Sequence, residues 1–149
     1  MPTYAINKKA RFDYEILDTL EAGIVLSGQE VKSIRKGGAK LSGAFVTFHN
    51  NGAFVINLHI PKYPFAGPLP AYDPEQSRKL LLKKKEIERI QGKSQEQGLT
   101  IIPLSLYTKG RHIKVEIGIA KGKKLYEKKE KIKKRDLDRE MRREMKNRL

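Results

Sequence analysis

Apolar residues repeat with a period of two near the C-terminal end of the sequence, which is typical of strands with one buried face. The strand predicted over residues 111–120 buries Ile113, Val115, Ile117 and Ile119. Before it, the apolar run at 99–108 predicts a second, more deeply buried strand, with Lys109-Gly110 as the turn. Gly118 lies on the outer face of its strand, which indicates a bulge or a close backbone approach.

The N-terminal third predicts two short strands followed by a helix. Residues 14–20 and 24–26 mix β-branched and aromatic side chains with polar ones, and Glu21-Ala22-Gly23 is predicted to be the turn between them. Ser27 followed by Glu30 has the spacing of a capping box, so a helix is expected from there to about Lys36. Gly37-Gly38 ends it.

The middle of the chain predicts a hairpin and then a second helix. A turn centred on Asn51-Gly52 would pair His49 with Phe54, Thr47 with Ile56 and Phe45 with Leu58. The prolines at 61, 64, 68 and 70 predict an irregular loop. Asp73-Pro74-Glu75 then has the composition of a helix start, and this helix would bury Leu80, Leu81, Ile87 and Ile90 before ending near Gly92.

These elements together predict a mainly β fold. About six short antiparallel strands with two or three helices, within some 120 residues, favour a small antiparallel OB-like β-barrel with a basic C-terminal tail. The predicted domains are the OB-like barrel over residues 1–124 and the tail over 125–149.

Composition restricts the classes of protein that remain. The 149 residues suit one domain plus a tail. The absence of cysteine excludes disulfides, zinc–cysteine sites and a cysteine nucleophile. Residues 41–61 carry no Lys, Arg, Asp or Glu, yet the hairpin signal at Asn51-Gly52 favours two strands over a membrane helix. No apolar run of signal-peptide length begins the sequence, so a cytoplasmic protein is expected.

Charge points to a polyanionic partner. The sequence holds 32 Lys plus Arg against 17 Asp plus Glu, a net charge of +15. Residues 121–149 carry +8 of it with few large apolar side chains, so the tail is expected to be disordered alone and helical on a polyanion. A solvated tail that only aids solubility, or a basic amphipathic helix for a membrane or a calmodulin-like partner, fits the same pattern.

Motifs for catalysis are scarce. The predicted hairpin places His49 and His59 on opposite strand faces, and no nucleophile elbow or paired carboxylates occur. The segment at 121–124 lacks the upstream glycines of a phosphate-binding loop. We therefore expect no enzyme activity, no catalytic residue, no metal and no cofactor.

Basic clusters beside aromatic residues remain as candidate functional groups. Structured RNA is recognised through shape, phosphates and stacking, which suits such clusters. They are Lys8, Lys9 and Arg11 with Phe12 and Tyr14; Lys32, Arg35 and Lys36; Arg78 and Lys79; and Lys121, Lys123 and Lys124 with Tyr126.

Spaced blocks from residue 7 to the C-terminus resemble one bacterial family. The blocks are NKKAR with a following DY, EAG before GQEVKSIRKGGAKLS, DP with RKLLL, LSLY, and IAKGKK ahead of a tail containing KKRD. In combination they are similar to the SsrA-binding protein family, also called small protein B.

The resemblance implies a non-catalytic RNA-binding adaptor. Such a protein binds the tRNA-like domain of transfer-messenger RNA (tmRNA, or SsrA RNA) and delivers the alanylated RNA, with elongation factor Tu, to stalled ribosomes for trans-translation and ribosome rescue. It would act as a monomer in the cytoplasm, away from membranes. A general RNA-binding or ribosome-associated protein is the alternative.

The resemblance also implies residue roles. The RNA-binding candidates are Asn7, Lys8, Lys9, Arg11, Glu30, Lys32, Arg35, Lys36, Arg78, Lys79, Lys121, Gly122, Lys123 and Lys124. Glu30 would either accept from base or sugar donors or only cap its helix. The tail would become helical in the message channel of the small ribosomal subunit through Tyr126, Glu127, Lys128, Lys129, Lys131, Lys133, Lys134 and Arg135.

Overall fold

A computed structural model of the chain describes residues 2–122. Within that range the chain forms seven strands and three helices: β1 (Thr3–Ile6), α1 (Lys8–Asp13), β2 (Tyr14–Ile24), α2 (Gly28–Arg35), β3 (Phe45–His49), β4 (Gly52–Ile56), β5 (Arg78–Leu81), α3 (Lys84–Ser94), β6 (Leu99–Lys109) and β7 (His112–Gly122). Lys123, Lys124 and the whole predicted tail lie outside the described residues.

The strands form one antiparallel sheet in the order β1-β6-β7-β2-β5-β4-β3. Its centre is the long ladder of β2, β7 and β6, in which β7 pairs along most of its length with both neighbours. One register shift between Ile16 and Asp18 and another between Pro103 and Ser105 bend these strands.

The sheet curves without closing. The edge strands β1 and β3 are not paired with each other, although β3 approaches β6 across the interior. The mainly β, antiparallel prediction is therefore confirmed, whereas the term barrel describes the shape only loosely. The six predicted strands become seven because the two predicted over 14–26 form one strand, whereas Thr3–Ile6 and Arg78–Leu81 add two.

Most of the core lies between the curved sheet and the two longer helices. Ile34 of α2 and Ile90 of α3 are completely buried, as are Val115 and Ile117 of β7. A smaller cluster on the other side of β7 joins Ala10 of α1 to Ile102, Leu104 and Ala120. Docking against this second cluster fixes the position of the short helix α1, which would not be stable alone.

Gly118 is the close approach that its position in the strand predicted. A Cβ on Gly118 would lie 2.8 Å from Leu104 Cδ1 and 3.3 Å from Ile16 Cγ2. The missing side chain therefore lets the second cluster pack directly on the backbone of β7.

Two predictions for the N-terminal half are wrong in detail. Residues 21–23 are not a turn, because Tyr14–Ile24 is one continuous strand paired with β7. In the hairpin, Phe45 pairs with Ile56 rather than Leu58. Asn50 and Asn51 both adopt positive φ, 48° and 61°, so the tight turn is centred one residue earlier and the pairing moves by two. A shift of two keeps each side chain on its predicted face.

The predicted helix over 73–92 is wrong in its first half. Arg78–Leu81 is instead an interior strand of the sheet, paired with β2 on one side and β4 on the other. The helix begins only at Lys84. At its start the Glu86 carboxylate accepts a hydrogen bond from the Lys83 N–H at 3.0 Å. No helix in residues 2–122 is long and apolar enough to cross a membrane.

Candidate nucleic-acid interface

The first basic surface is on α1. Asn7 begins this helix: its side chain accepts from the Ala10 N–H at 3.1 Å and donates to the carbonyls of Pro103 and Leu41 at 3.0 and 3.3 Å. These bonds use the buried amide of Asn7 inside the fold and hold Lys8 and Lys9 out in solvent. Asn7 therefore positions the lysines and has no exposed polar group to offer to RNA.

The end of β7 pairs with the start of β2. Because β2 directly follows α1, the end of β7 also lies close to the end of that helix. Gly122 pairs with Tyr14 and Lys121 with Glu15, and both Lys121 and Gly122 are exposed. Arg11, also exposed, has its guanidinium 3.7 Å from the Glu116 carboxylate. Lys8, Lys9 and Arg11 are thus exposed on α1, and Lys121 is exposed at the end of β7 that pairs with the residues following this helix.

The second basic surface is the outer face of α2. Ser27 accepts from the Glu30 N–H at 3.3 Å and Glu30 accepts from the Ser27 N–H at 3.0 Å, which confirms the predicted capping box. Burial of Ile34 on the opposite face leaves Lys32, Arg35 and Lys36 exposed. Gly37, with φ at 87°, ends the helix as predicted.

Glu30 and Arg78 form a buried ion pair behind this surface. The two residues are 2% and 3% exposed, and Arg78 Nε donates to Glu30 Oε2 at 2.6 Å. Arg78 also donates to the carbonyls of Leu58 and Pro74 at 2.6 and 2.9 Å, while the Tyr72 hydroxyl donates to Glu30 at 3.2 Å. The pair joins α2 to both ends of the 57–77 loop, and neither side chain faces solvent.

The ion pair also affects the ionisation of Glu30. Burial alone would raise the pKa of its carboxyl, but the Ser27 N–H and the Arg78 guanidinium outweigh burial and hold this pKa below its ordinary value. Glu30 is therefore an anion at neutral pH that is fully occupied by internal donors.

Lys40 lies between the two surfaces and was not among the residues predicted for the site. The segment that follows α2 runs past Lys40 to Leu41, whose carbonyl accepts from Asn7. Exposed Lys40, Lys8 and Lys9 line one cleft of about 320 Å³. Its place in the GGAKLS block was the signal that could have identified it.

Lys79 is placed apart from these surfaces. Strand alternation turns its side chain away from that of Arg78, and it lines a different cleft, beside Asn50 and Lys83 near the hairpin turn. Sequence proximity to Arg78 therefore did not predict a shared surface.

The remaining predicted contacts are residues that follow Gly122 in the sequence. Lys123, Lys124 and the tail residues Tyr126 through Arg135 lie outside the described residues. Within residues 2–122, no three His, Asp or Glu side chains are grouped so that they could hold a metal ion.

Comparison with known proteins shows which family the chain belongs to. The family model described as "SmpB protein" matches residues 4–147, nearly the whole chain. The chain belongs to the SmpB family.

SmpB-family relatives match along almost their full lengths. The SsrA-binding protein of Thermosipho melanesiensis is 53% identical over 143 residues, covering 95% of this chain and 97% of the relative. That of Chloroflexus aggregans is 47% identical over 145 residues, covering 97% and 92%.

A solved structure of this family shares the fold. The chain described under "tmRNA-SmpB: a journey to the center of the bacterial ribosome" superposes with a TM-score of 0.70 at 44% identity, covering 84% of this chain and 87% of the other. The SmpB assignment therefore rests on sequence and on three-dimensional structure together.

Proposed function

We propose that this protein is an RNA-binding adaptor that binds the tRNA-like domain of tmRNA and delivers it to stalled ribosomes in trans-translation. The observation that carries the proposal is membership of the SmpB family, whose relatives are SsrA-binding proteins and whose solved neighbour is described with tmRNA and the bacterial ribosome. The basic surfaces support it, because a net charge of +15 attracts a folded polyanion over a long range.

The exposed residues are proposed to make the RNA contacts. They are Lys8, Lys9, Arg11, Lys32, Arg35, Lys36, Lys79, Lys121 and Gly122, with Lys40 added because it lines the cleft next to Lys8 and Lys9. Asn7, Glu30 and Arg78 support these contacts from inside the fold, since their polar groups are buried and hydrogen bonded there.

The predicted role of the tail is also part of this proposal. Residues 125–149 act in the message channel of the small subunit and gain helical structure there, because ribosomal phosphates reduce the repulsion among its lysines. Lys123 and Lys124 continue the RNA surface of residues 1–124. Elongation factor Tu accompanies the alanylated RNA, and the protein itself performs no chemical step and works in the cytoplasm.

A binding titration at matched salt tests the central proposal. We expect tighter binding to a tRNA-like RNA than to an unstructured RNA of equal length. About six neutralised phosphates give a log–log salt slope of roughly −4 to −5. Replacing Lys36 by Ala should reduce the magnitude of that slope by about one, because one phosphate contact is lost.

Lys85 is a suitable control for this titration. It is an exposed lysine on α3, outside both basic surfaces, so Lys85→Ala should leave the affinity and the slope unchanged. Equal affinity for the two RNAs would reduce the protein to a general RNA binder, and turnover of RNA by the pure protein would contradict a non-catalytic adaptor.

A further inference from the structure

Two aromatic rings stand beside the basic face of α2, on the loop that joins β4 to β5. Tyr63 and Phe65 are two residues apart on this loop, and their ring centroids are 5.5 Å apart at an interplanar angle of 68°. Phe65 is 75% exposed, more than any other large apolar side chain in residues 2–122. We call these two rings the aromatic platform. One exposed ring is common on a protein surface, and this one gains significance from the groups around it.

The loop that carries the platform is fixed to α2 at its start. The Ser33 hydroxyl donates to the Pro61 carbonyl, and the Tyr63 N–H donates to Gln29 Oε1 at 2.9 Å. Gly38 packs so closely against Pro61 that a Cβ would lie 2.8 Å from Pro61 Cγ. Pairing of the loop with the helix therefore sets the position of Tyr63 relative to the basic face.

A tight turn then presents Phe65. The Ala66 N–H donates to the Tyr63 carbonyl at 3.1 Å, which closes a β-turn with Pro64 at its second position and Phe65 at its third. Proline is favoured at that second position because its φ is already restricted. The turn is thus preorganised, and a ligand that binds the ring need not order the loop first.

Two lysines, Lys32 in α2 and Lys36 at the C-cap of this helix, lie over the platform. Lys36 Nζ is 4.5 Å from the centroid of Phe65 and 5.3 Å from that of Tyr63, and Lys32 Nζ is 5.8 Å from that of Tyr63. The lysines are four residues apart, so they share one helix face. The arrangement combines an exposed π surface with two cations beside it, which are the groups that bind a base and its phosphates in single-stranded nucleic acids.

We propose that the aromatic platform binds one unpaired base of the bound RNA, which stacks on Phe65 while Lys32 and Lys36 contact the adjacent phosphates. The inference rests on the proposed RNA-binding function and names a contact that the basic clusters alone do not supply. A nucleobase is favoured over a protein partner because a single exposed ring flanked by cations is much smaller than a stable protein interface. Stacking of this kind tolerates any base, since every base has a π face.

Substitution of the ring separates stacking from general hydrophobic contact. Phe65→Leu should weaken binding to a tRNA-like RNA with unpaired loop bases by about tenfold, whereas Phe65→Tyr, which keeps the ring, should bind like the wild type. Neither should change binding to a blunt RNA duplex of equal length. Leu69→Ala is the control, because Leu69 is an exposed apolar residue of the same loop and is not one of the two rings of the aromatic platform.

A fluorescence measurement gives a second, direct readout. The sequence contains no tryptophan, so Phe65→Trp introduces the only indole, and its emission should be quenched when a base of the looped RNA stacks on it. The duplex should leave the emission unchanged. Unchanged emission with the looped RNA, or Phe65→Leu affinity equal to the wild type, would overturn the stacking site. Wild-type protein that bound neither RNA would instead overturn the proposed function.

Discussion

At the scale of single residues, the functional surface depends on buried polar groups. The Glu30 carboxylate and the Arg78 guanidinium are 2.6 Å apart in the interior, and they connect α2 to the loop that carries the aromatic platform. Breaking a buried pair by removing one partner leaves an uncompensated charge, which is far more costly than losing a surface pair.

We therefore expect Arg78→Ala to reduce the free energy of unfolding by about 3–5 kcal/mol. Arg89→Ala is the matched control: it removes the half-exposed ion pair with Asp18 and should cost under about 1 kcal/mol. Urea denaturation of both variants gives the two values. Similar small losses would show that the buried pair contributes little to stability.

The same ion pair predicts that the free energy of unfolding falls at acid pH. The folded pKa of Glu30 lies below its unfolded value, so the unfolded chain binds the proton more readily. The stabilisation is complete above the ordinary glutamate pKa of about 4.3 and is lost as the pH falls through the lower folded value. Denaturation from pH 6 to pH 2 should show a shallower decline for Glu30→Gln than for the wild type, and parallel curves would contradict this assignment.

At the scale of secondary-structure elements, the sequence correctly predicted the elements whose conformation depends on residues close together in the chain. Ser27 and Glu30 form their capping box within four residues, and the alternating β7 pattern needs only one buried face. Arg78–Leu81 was mistaken for a helix because its strand conformation is set by two distant neighbours, β2 and β4. Helix α1 gave no clear signal because its stability comes from docking on the second cluster.

Packing across β7 gives a prediction at this scale. Gly118→Ala should destabilise the fold by about 1–3 kcal/mol, because the new methyl group would lie 2.8 Å from Leu104 in a packed cluster. Gly122→Ala in the same strand has open space around its Cβ position and should change stability by under about 0.5 kcal/mol. Thermal unfolding of the two variants compares them directly, and an undiminished melting temperature for Gly118→Ala would contradict the close packing.

At the scale of the site, composition predicted the kind of ligand but not which groups reach it. Charge and the spaced blocks identified the basic residues of α1 and α2. Sequence could not show that Asn7, Glu30 and Arg78 turn inward, because burial of a polar side chain depends on partners far along the chain. Tyr63 and Phe65 were missed for the same reason: their neighbours Lys32 and Lys36 are about thirty residues away.

At the scale of the whole molecule, we propose that residues 1–124 and 125–149 have separate tasks. A chain ending at Lys124 should unfold like the full chain and bind a tRNA-like RNA within about threefold of it, because the basic surfaces on α1 and α2 remain. Tagging of stalled products in a reconstituted translation reaction should fail. Loss of RNA affinity together with the tail would argue against this division.

The most direct test is capture of RNA from a bacterial lysate that contains tmRNA, followed by sequencing of what is bound. The full chain should enrich tmRNA above every other transcript relative to abundance. A folded Lys8→Glu, Lys9→Glu, Lys36→Glu variant should lose that enrichment. Recovery of RNAs in proportion to their abundance, or undiminished tmRNA capture by the charge-reversed variant, would contradict selection of tmRNA by the basic surfaces on α1 and α2.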